Sequence, residues 1–227
     1  MTVHVLVEGP SEQVLIERWA KRFLRKDVVR VHPHQGKGKL PDKLTARPDP
    51  RNRALLHQLP AKLRAFAAAP DSRENGVLVL VDADNDDCRD LADSLSTAAE
   101  AVAGKLRVVI RVAVEETEAF YFGDLRALKA AFPEANLAVA RKYVPDSICG
   151  TWELFGEVVG DGGGNKVAWA EAMAHTLTTD PKRSRSPSFR ALCRALRRLA
   201  QPLQRSPVRA KKRRHVARTD PSRRKGQ

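Results

Sequence analysis

Val77-Leu78-Val79-Leu80-Val81-Asp82-Ala83-Asp84-Asn85-Asp86-Asp87 is the stretch on which the fold turns. Five consecutive apolar residues stop abruptly at an acidic run. An unbroken apolar run of this length suits a strand buried on both faces, as in a parallel sheet. Working outward, Val3–Glu8 (VHVLVE) reads as a shorter strand that Gly9-Pro10 breaks. Ser11 is then placed to cap a helix in which Val14, Leu15, Trp19, Phe23 and Leu24 recur at helical spacing to about Arg25. Val28–Val31 is a further strand, 33–53 a long loop rich in Pro, Gly, Lys and Arg, and Leu55–Phe66 a helix in which Pro60 argues for a kink or a late start. Leu91–Ala103 is helical and ended by Gly104; Leu106–Val114 is a strand interrupted by Arg107 and Arg111. Strands alternating with helices predict an α/β fold with a mostly parallel sheet flanked by helices. Helical segments at about 116–132, 151–158, 166–177 and 187–200 predict a helical C-terminal elaboration. The expected organisation is a core over 1–115, helices over 116–201 packed on it, and a disordered basic tail over 202–227.

The 227 residues carry a formal net charge of +14, unevenly distributed. Residues 1–181 hold 24 basic and 26 acidic side chains, whereas 182–227 hold 17 basic residues and only Asp220 as an acid. A near-neutral body thus carries a cationic C-terminal segment. No apolar run approaches the length that spans a bilayer. The first residues lack a basic region before their apolar stretch, so no signal peptide is expected. Cys88, Cys149 and Cys193 lie far apart with no paired spacing, which points to a reducing cytoplasm.

Two strand ends carry carboxylates: Glu8, with Glu12 shortly after it, and Asp82-Ala83-Asp84-Asn85-Asp86. In open parallel sheets the crevice beyond the C-terminal strand edge is where ligands bind. If the two strands are neighbours, Glu8 faces Asp82 and Asp84. Converging carboxylates repel, and a divalent cation relieves that repulsion. Alternate residues of an extended segment point the same way, so Asp82, Asp84 and Asp86 would address one metal region, with Glu8 ligating a second metal or moving a proton. Acids at a strand–loop junction also serve as turn residues and helix caps, and Asp86 and Asp87 would then simply start the next helix.

V-L-V-E-G-P-S-E at 5–12 and V-L-V-D-A-D-N-D at 79–86 resemble the paired signatures of the Toprim fold. That fold is shared by topoisomerases, bacterial primases, small RNA-maturation nucleases and the nucleases of OLD-type phage-defence proteins. The resemblance implies Glu8 as general acid/base, Asp82 and Asp84 as Mg²⁺ ligands, and Asp86 as a third acid. Glu12 matches the second acid of the OLD-type variant and would hold a second metal. V-E-E-T-E-A-F-Y-F-G-D at 114–124, G-N-K at 164–166 and R-S-P-S-F at 185–189 are similar to an uncharacterised bacterial family, domain of unknown function DUF4276, with Phe120 where a Trp is expected. That similarity favours Glu118 as a further metal ligand over a helix-start role, with Glu115 the other candidate.

Lys166, after a Gly-rich run, would neutralise charge on a phosphoryl oxygen, or else cap a surface loop. Arg183 and Arg185 precede a helix and suit phosphate, or else form a basic linker. His32-Pro33-His34 makes a poor zinc site and reads as an exposed loop, with Lys37 and Lys39 beside it as phosphate contacts. Tyr121, in an apolar run, reads as core. Lys211, Lys212, Arg213 and Arg214 in the tail suit salt-sensitive binding to phosphates. Together these features imply a nuclease that uses one or two Mg²⁺ or Mn²⁺ ions on DNA or RNA, and the resemblance to OLD-type proteins implies phage defence as its setting. The alternative is a non-catalytic module that binds nucleic acid, or a partner such as an ATPase, in a larger defence or repair complex. Oligomeric state is left open.

Overall fold

The structure is a computed structural model, and it describes residues 1–202 apart from 115, 148, 149 and 163. The four apolar stretches become strands β1 (Val3–Val7), β2 (Val29–Pro33), β3 (Gly76–Asp82) and β4 (Arg107–Ala113). All pair in parallel, in the order β2-β1-β3-β4. Parallel neighbours need crossover connections, supplied here by helices α1 (Pro10–Leu24), α2 (Leu55–Ala68) and α3 (Cys88–Ala103). The result is a Rossmann-like α/β architecture. Side-chain alternation explains why β3 is apolar throughout: Leu78 and Leu80 join the core under α1, while Val77, Val79 and Val81 join the core under α2 and α3.

Several local expectations change. Helix α1 is capped by Gly9 with Pro10 in its first turn, where a fixed φ suits the helix and the missing N–H costs nothing. Ser11 instead donates its hydroxyl to Glu12 Oε1 at 2.8 Å. Helix α2 starts at Leu55 and runs through Pro60, because Leu55, Leu56, Leu59, Pro60 and Leu63 form one buried face that holds it together. The helix expected over 116–132 is divided into α4 (Ala119–Phe122) and α5 (Leu125–Ala131). Asp124 causes the break: its carboxylate caps α5 through Ala127 N–H at 3.1 Å and also accepts Thr178 N–H at 3.1 Å. Gly123 completes it, since a Cβ there would sit 2.6 Å from Ser184 Oγ. A short helix α6 (Leu137–Lys142), capped by Asn136, was not foreseen. Helices α7 (Thr151–Val159), α8 (Lys166–Thr176) and α9 (Pro187–Leu199) follow. Strand β2 extends to Pro33, so His32 and His34 are not loop residues in solvent. His32 is half-buried, 3.0 Å from the His4 ring nitrogen beside Phe66, and His34 is buried.

The C-terminal helices share the core with the sheet. Phe120, Phe155, Trp169, Met173 and Phe189 belong to the same buried cluster as Val3, Val5 and Trp19. Trp19 donates its indole N–H to Thr178 O at 3.0 Å and stacks on Phe23. The two arginines that interrupt β4 hold α9: Arg107 donates to Arg198 O and Gln201 O, and Arg111 to Ala191 O. No described helix is long and apolar enough to cross a membrane. The tail expectation, including Lys211, Lys212, Arg213 and Arg214, lies outside the described residues.

Candidate functional site

Because β1 and β3 are parallel neighbours, their C-terminal ends meet at one edge of the sheet. Glu8 leaves β1 there, and its Oε1 accepts the Asp82 backbone N–H at 2.9 Å. Glu12, near the start of α1, is buried; its Oε1 accepts the hydroxyls of Ser11 at 2.8 Å and Thr117 at 3.4 Å. The segment leaving β4 adds Glu116 and Glu118, both buried. Glu116 accepts Trp152 N–H at 2.9 Å and the Lys166 ammonium at 3.2 Å. Lys166 Nζ also lies 4.9 Å from the centre of the Trp152 ring, an attractive cation–π contact. Lys166 is therefore not a solvated loop residue. Asn165 caps α8 through Ala168 N–H, which directs the lysine at the first helical position back over the acids.

The electrostatics follow from this crowding. Burial pushes Glu8 up to about 7, aided by Asp84 and Glu12 and opposed by its hydrogen bond from the Asp82 backbone. Burial also pushes Glu118 up to about 7, against the pull of Lys166. Asp82 is raised well above the usual carboxylate range by burial and then by Glu12, Glu8, Glu118 and Glu116. Lys166 loses hydration, yet Glu118 and Glu116 hold its ammonium above the ordinary lysine value. Burial raises the hydroxyl of Tyr121, fully buried as expected for a core residue, and Glu118, Glu12 and Asp82 raise it further. The Asp82 Oδ1 atom is sealed from solvent with no hydrogen-bond partner among the described residues. Buried polar atoms are nearly always satisfied, so this one marks a place where something is wanted.

Asp84 and Asp86 behave differently from expectation. The strand ends at Asp82, Asp84 takes a left-handed conformation (φ 50°), and Asp86 N–H closes a turn on Ala83 O at 2.9 Å. Alternation therefore fails beyond Asp82, and the three aspartates do not share one direction. The exposed Asp84 and Asp86 instead clasp Lys37, whose Nζ lies 2.6 and 2.9 Å from their carboxylates and also donates to Asp82 O and Ala83 O. Asp84 remains close enough to raise Glu8. Among the described residues, no three His, Cys, Asp or Glu side chains stand close enough together to grip one ion. The donor set is all oxygen, which suits a hard cation such as Mg²⁺ rather than zinc. The orphaned Asp82 Oδ1 supplies one free ligand atom.

Residues 7–197 match the family described as "Domain of unknown function (DUF4276)". The chain belongs to the DUF4276 family. No curated protein and no solved structure matches it.

Within this DUF4276 domain the other sequence candidates scatter. Lys39 is exposed and lines a groove with Lys37, Asp84 and Asp86. Arg183 is exposed in a short 3-10 turn, and Arg185 reaches Tyr143 O from the segment before α9. The R-S-P-S-F stretch does structural work: Ser186 caps α9, and the Asp146 carboxylate accepts from Ser186 Oγ, Ser188 Oγ and Ser188 N–H at 2.7–3.2 Å. Glu115 lies outside the described residues. Glu116, Thr117 and Trp152 were not singled out. Only Glu116 left a trace in the sequence, as part of the acidic run leaving a strand; Trp152 reaches the site only through packing of α7.

Proposed function

We propose that the protein is a Mg²⁺-dependent phosphodiesterase of the Toprim type, cleaving DNA or RNA in the cytoplasm, with phage defence as its setting. The observation that carries this proposal is the gathering of Glu8, Glu12, Asp82 and Glu118 at one sheet edge around an unpartnered Asp82 Oδ1, with Lys166 as the nearby cation. The gathering follows from Glu8 and Asp82 lying at the ends of adjacent parallel strands, and the surrounding sequence adds the paired Toprim-like motifs as support. Asp82 would hold a Mg²⁺ or Mn²⁺ ion, with Glu12 and Glu118 available for it or for a second, and Asp84 and Asp86 would join the ligands only on release from Lys37. Bound there, the metal would supply a polarised phosphate and an acidified water. Glu8, raised to about 7, is divided between its acid and base forms near neutrality, which suits it to carry a proton. Its Oε1 is engaged by the Asp82 backbone, leaving Oε2 for that transfer. The Lys166 ammonium would offset negative charge developing on phosphate oxygens. Lys39, Arg183, Arg185 and the tail residues Lys211, Lys212, Arg213 and Arg214 would contact neighbouring phosphates.

One observation favours the alternative, a non-catalytic module that binds nucleic acid or a partner such as an ATPase. Lys37 already neutralises Asp84 and Asp86. The deciding experiment incubates the purified protein with plasmid, linear DNA and structured RNA, in Mg²⁺, Mn²⁺ or chelator, beside Glu8→Gln and Asp82→Asn. Metal-dependent cleavage lost in both variants supports the nuclease. Cleavage persisting in both overturns the site, and metal-independent binding without cleavage of any substrate favours the module.

A further inference from the structure

A second pocket, of about 430 Å³, opens beside β2 and is lined by His34, Gln35, Arg53, Gln58, Lys62 and two prolines. It lies one strand away from Glu8: Pro33 is in register with Val7, and Gly36 N–H, two residues past His34, donates to Glu8 O at 2.9 Å. Its wall contains two cations and no carboxylate. Among the described residues neither Arg53 nor Lys62 forms an ion pair. Lys62 is half-buried, so its ammonium has given up water without gaining a counter-charge. His34 is 8% exposed and faces Val7 O through Nδ1 at 2.8 Å. A carbonyl can only accept, so the His34 proton sits on Nδ1 and Nε2 is left bare. That Nε2 is buried with no hydrogen-bond partner among the described residues.

We propose that this pocket binds a phosphate group through Lys62, Arg53 and His34 Nε2. A metal ion is disfavoured there by the two adjacent positive charges. An apolar guest would leave the half-buried Lys62 ammonium and the buried Nε2 unsatisfied and would strip water from the exposed Arg53, which is costly. A tetrahedral phosphate offers several oxygens at once, enough to meet Lys62, Arg53 and the side-chain amide of Gln35 together. One proton shared between a phosphate oxygen and Nε2 satisfies the histidine, whichever of them carries it. The phosphate can be free, at the end of a strand, or internal to one.

The test uses the full chain in chelator, so that metal-dependent cleavage plays no part. Binding of inorganic phosphate is measured by calorimetry for wild type, Lys62→Gln, Arg53→Gln, the double variant and Lys105→Gln, an exposed lysine just before β4, each checked for an unchanged melting temperature. Lys62→Gln and Arg53→Gln should each weaken binding about tenfold or more, the double variant should abolish it, and Lys105→Gln should bind as wild type does. A 5′-phosphorylated trinucleotide is compared with its 5′-hydroxyl counterpart. Tighter binding of the former assigns the pocket to a strand end; equal binding that the double variant removes assigns it to an internal phosphate; binding of inorganic phosphate alone assigns it to a free one. No phosphate binding by wild type, or binding unchanged in the double variant, overturns the proposal.

Discussion

Replacing Glu8 with Gln should make the metal-free protein more stable at alkaline pH and leave it unchanged at acid pH. The perturbation is small: Gln keeps an Oε1 that can accept the Asp82 N–H now bound at 2.9 Å, and a neutral NH2 of similar size replaces the ionisable oxygen. Raising a carboxyl from 4.5 to about 7 corresponds to ~3 kcal/mol, at ~1.4 kcal/mol per pH unit. The sign is fixed by which state holds the proton. Below pH 4.5 both the folded and unfolded chains keep it, and Glu8 costs nothing. Between 4.5 and 7 the unfolded chain releases a proton that the folded chain retains, so wild type loses stability as pH rises. Above 7 both are ionised and the loss is complete. Glu8→Gln should therefore match wild type near pH 4 and exceed it near pH 8 by up to ~3 kcal/mol, or roughly 6–12 °C in melting temperature for a chain of this size. Urea unfolding in chelator at closely spaced pH values reads the difference directly. Adding Mg²⁺ should narrow the gap at alkaline pH, since a bound cation favours the ionised carboxylate. A difference that stays constant with pH, or a wild type more stable than the variant near pH 8, would refute the reasoning.

Asp146→Ala removes the acceptor that ties Ser186 and Ser188 to the start of α9; it should cost about 2 kcal/mol and raise hydrogen exchange locally in that helix. An unchanged melting curve would mean that the loop does not hold α9. Lys37→Met frees Asp84 and Asp86 from their ammonium, so Mn²⁺ affinity, followed by paramagnetic resonance, should tighten severalfold. Unaltered affinity would remove both aspartates from the ligand set. Truncation after Pro202 should weaken DNA and RNA binding and flatten its dependence on salt, because fewer counterions are released. An unchanged salt slope would leave the basic tail without a role in phosphate binding.

The parallel sheet was legible in the sequence because burial on both faces leaves an uninterrupted apolar run, and Val77–Val81 has one. Glu8 and Asp82 were legible for the same reason: a carboxylate that terminates such a run must sit at the sheet edge. Family membership came from local motifs within residues 7–197. Tertiary structure alone decided the rest. The D-x-D-x-D pattern promised one shared direction, but a turn at Asp84 sent the later aspartates to Lys37, 45 or more residues away in sequence. Lys166 read more readily as a solvated loop residue until α7 and α8 carried Trp152 and Lys166 to Glu116. His34 looked like an exposed residue until β2, running to Pro33 just before it, set its ring in the interior against Val7 O. Periodicity reports how a segment meets the core, since every neighbour along a strand or helix feels the same burial. It says nothing of which distant charge will arrive to meet a given carboxylate, because that depends on contacts between residues far apart along the chain.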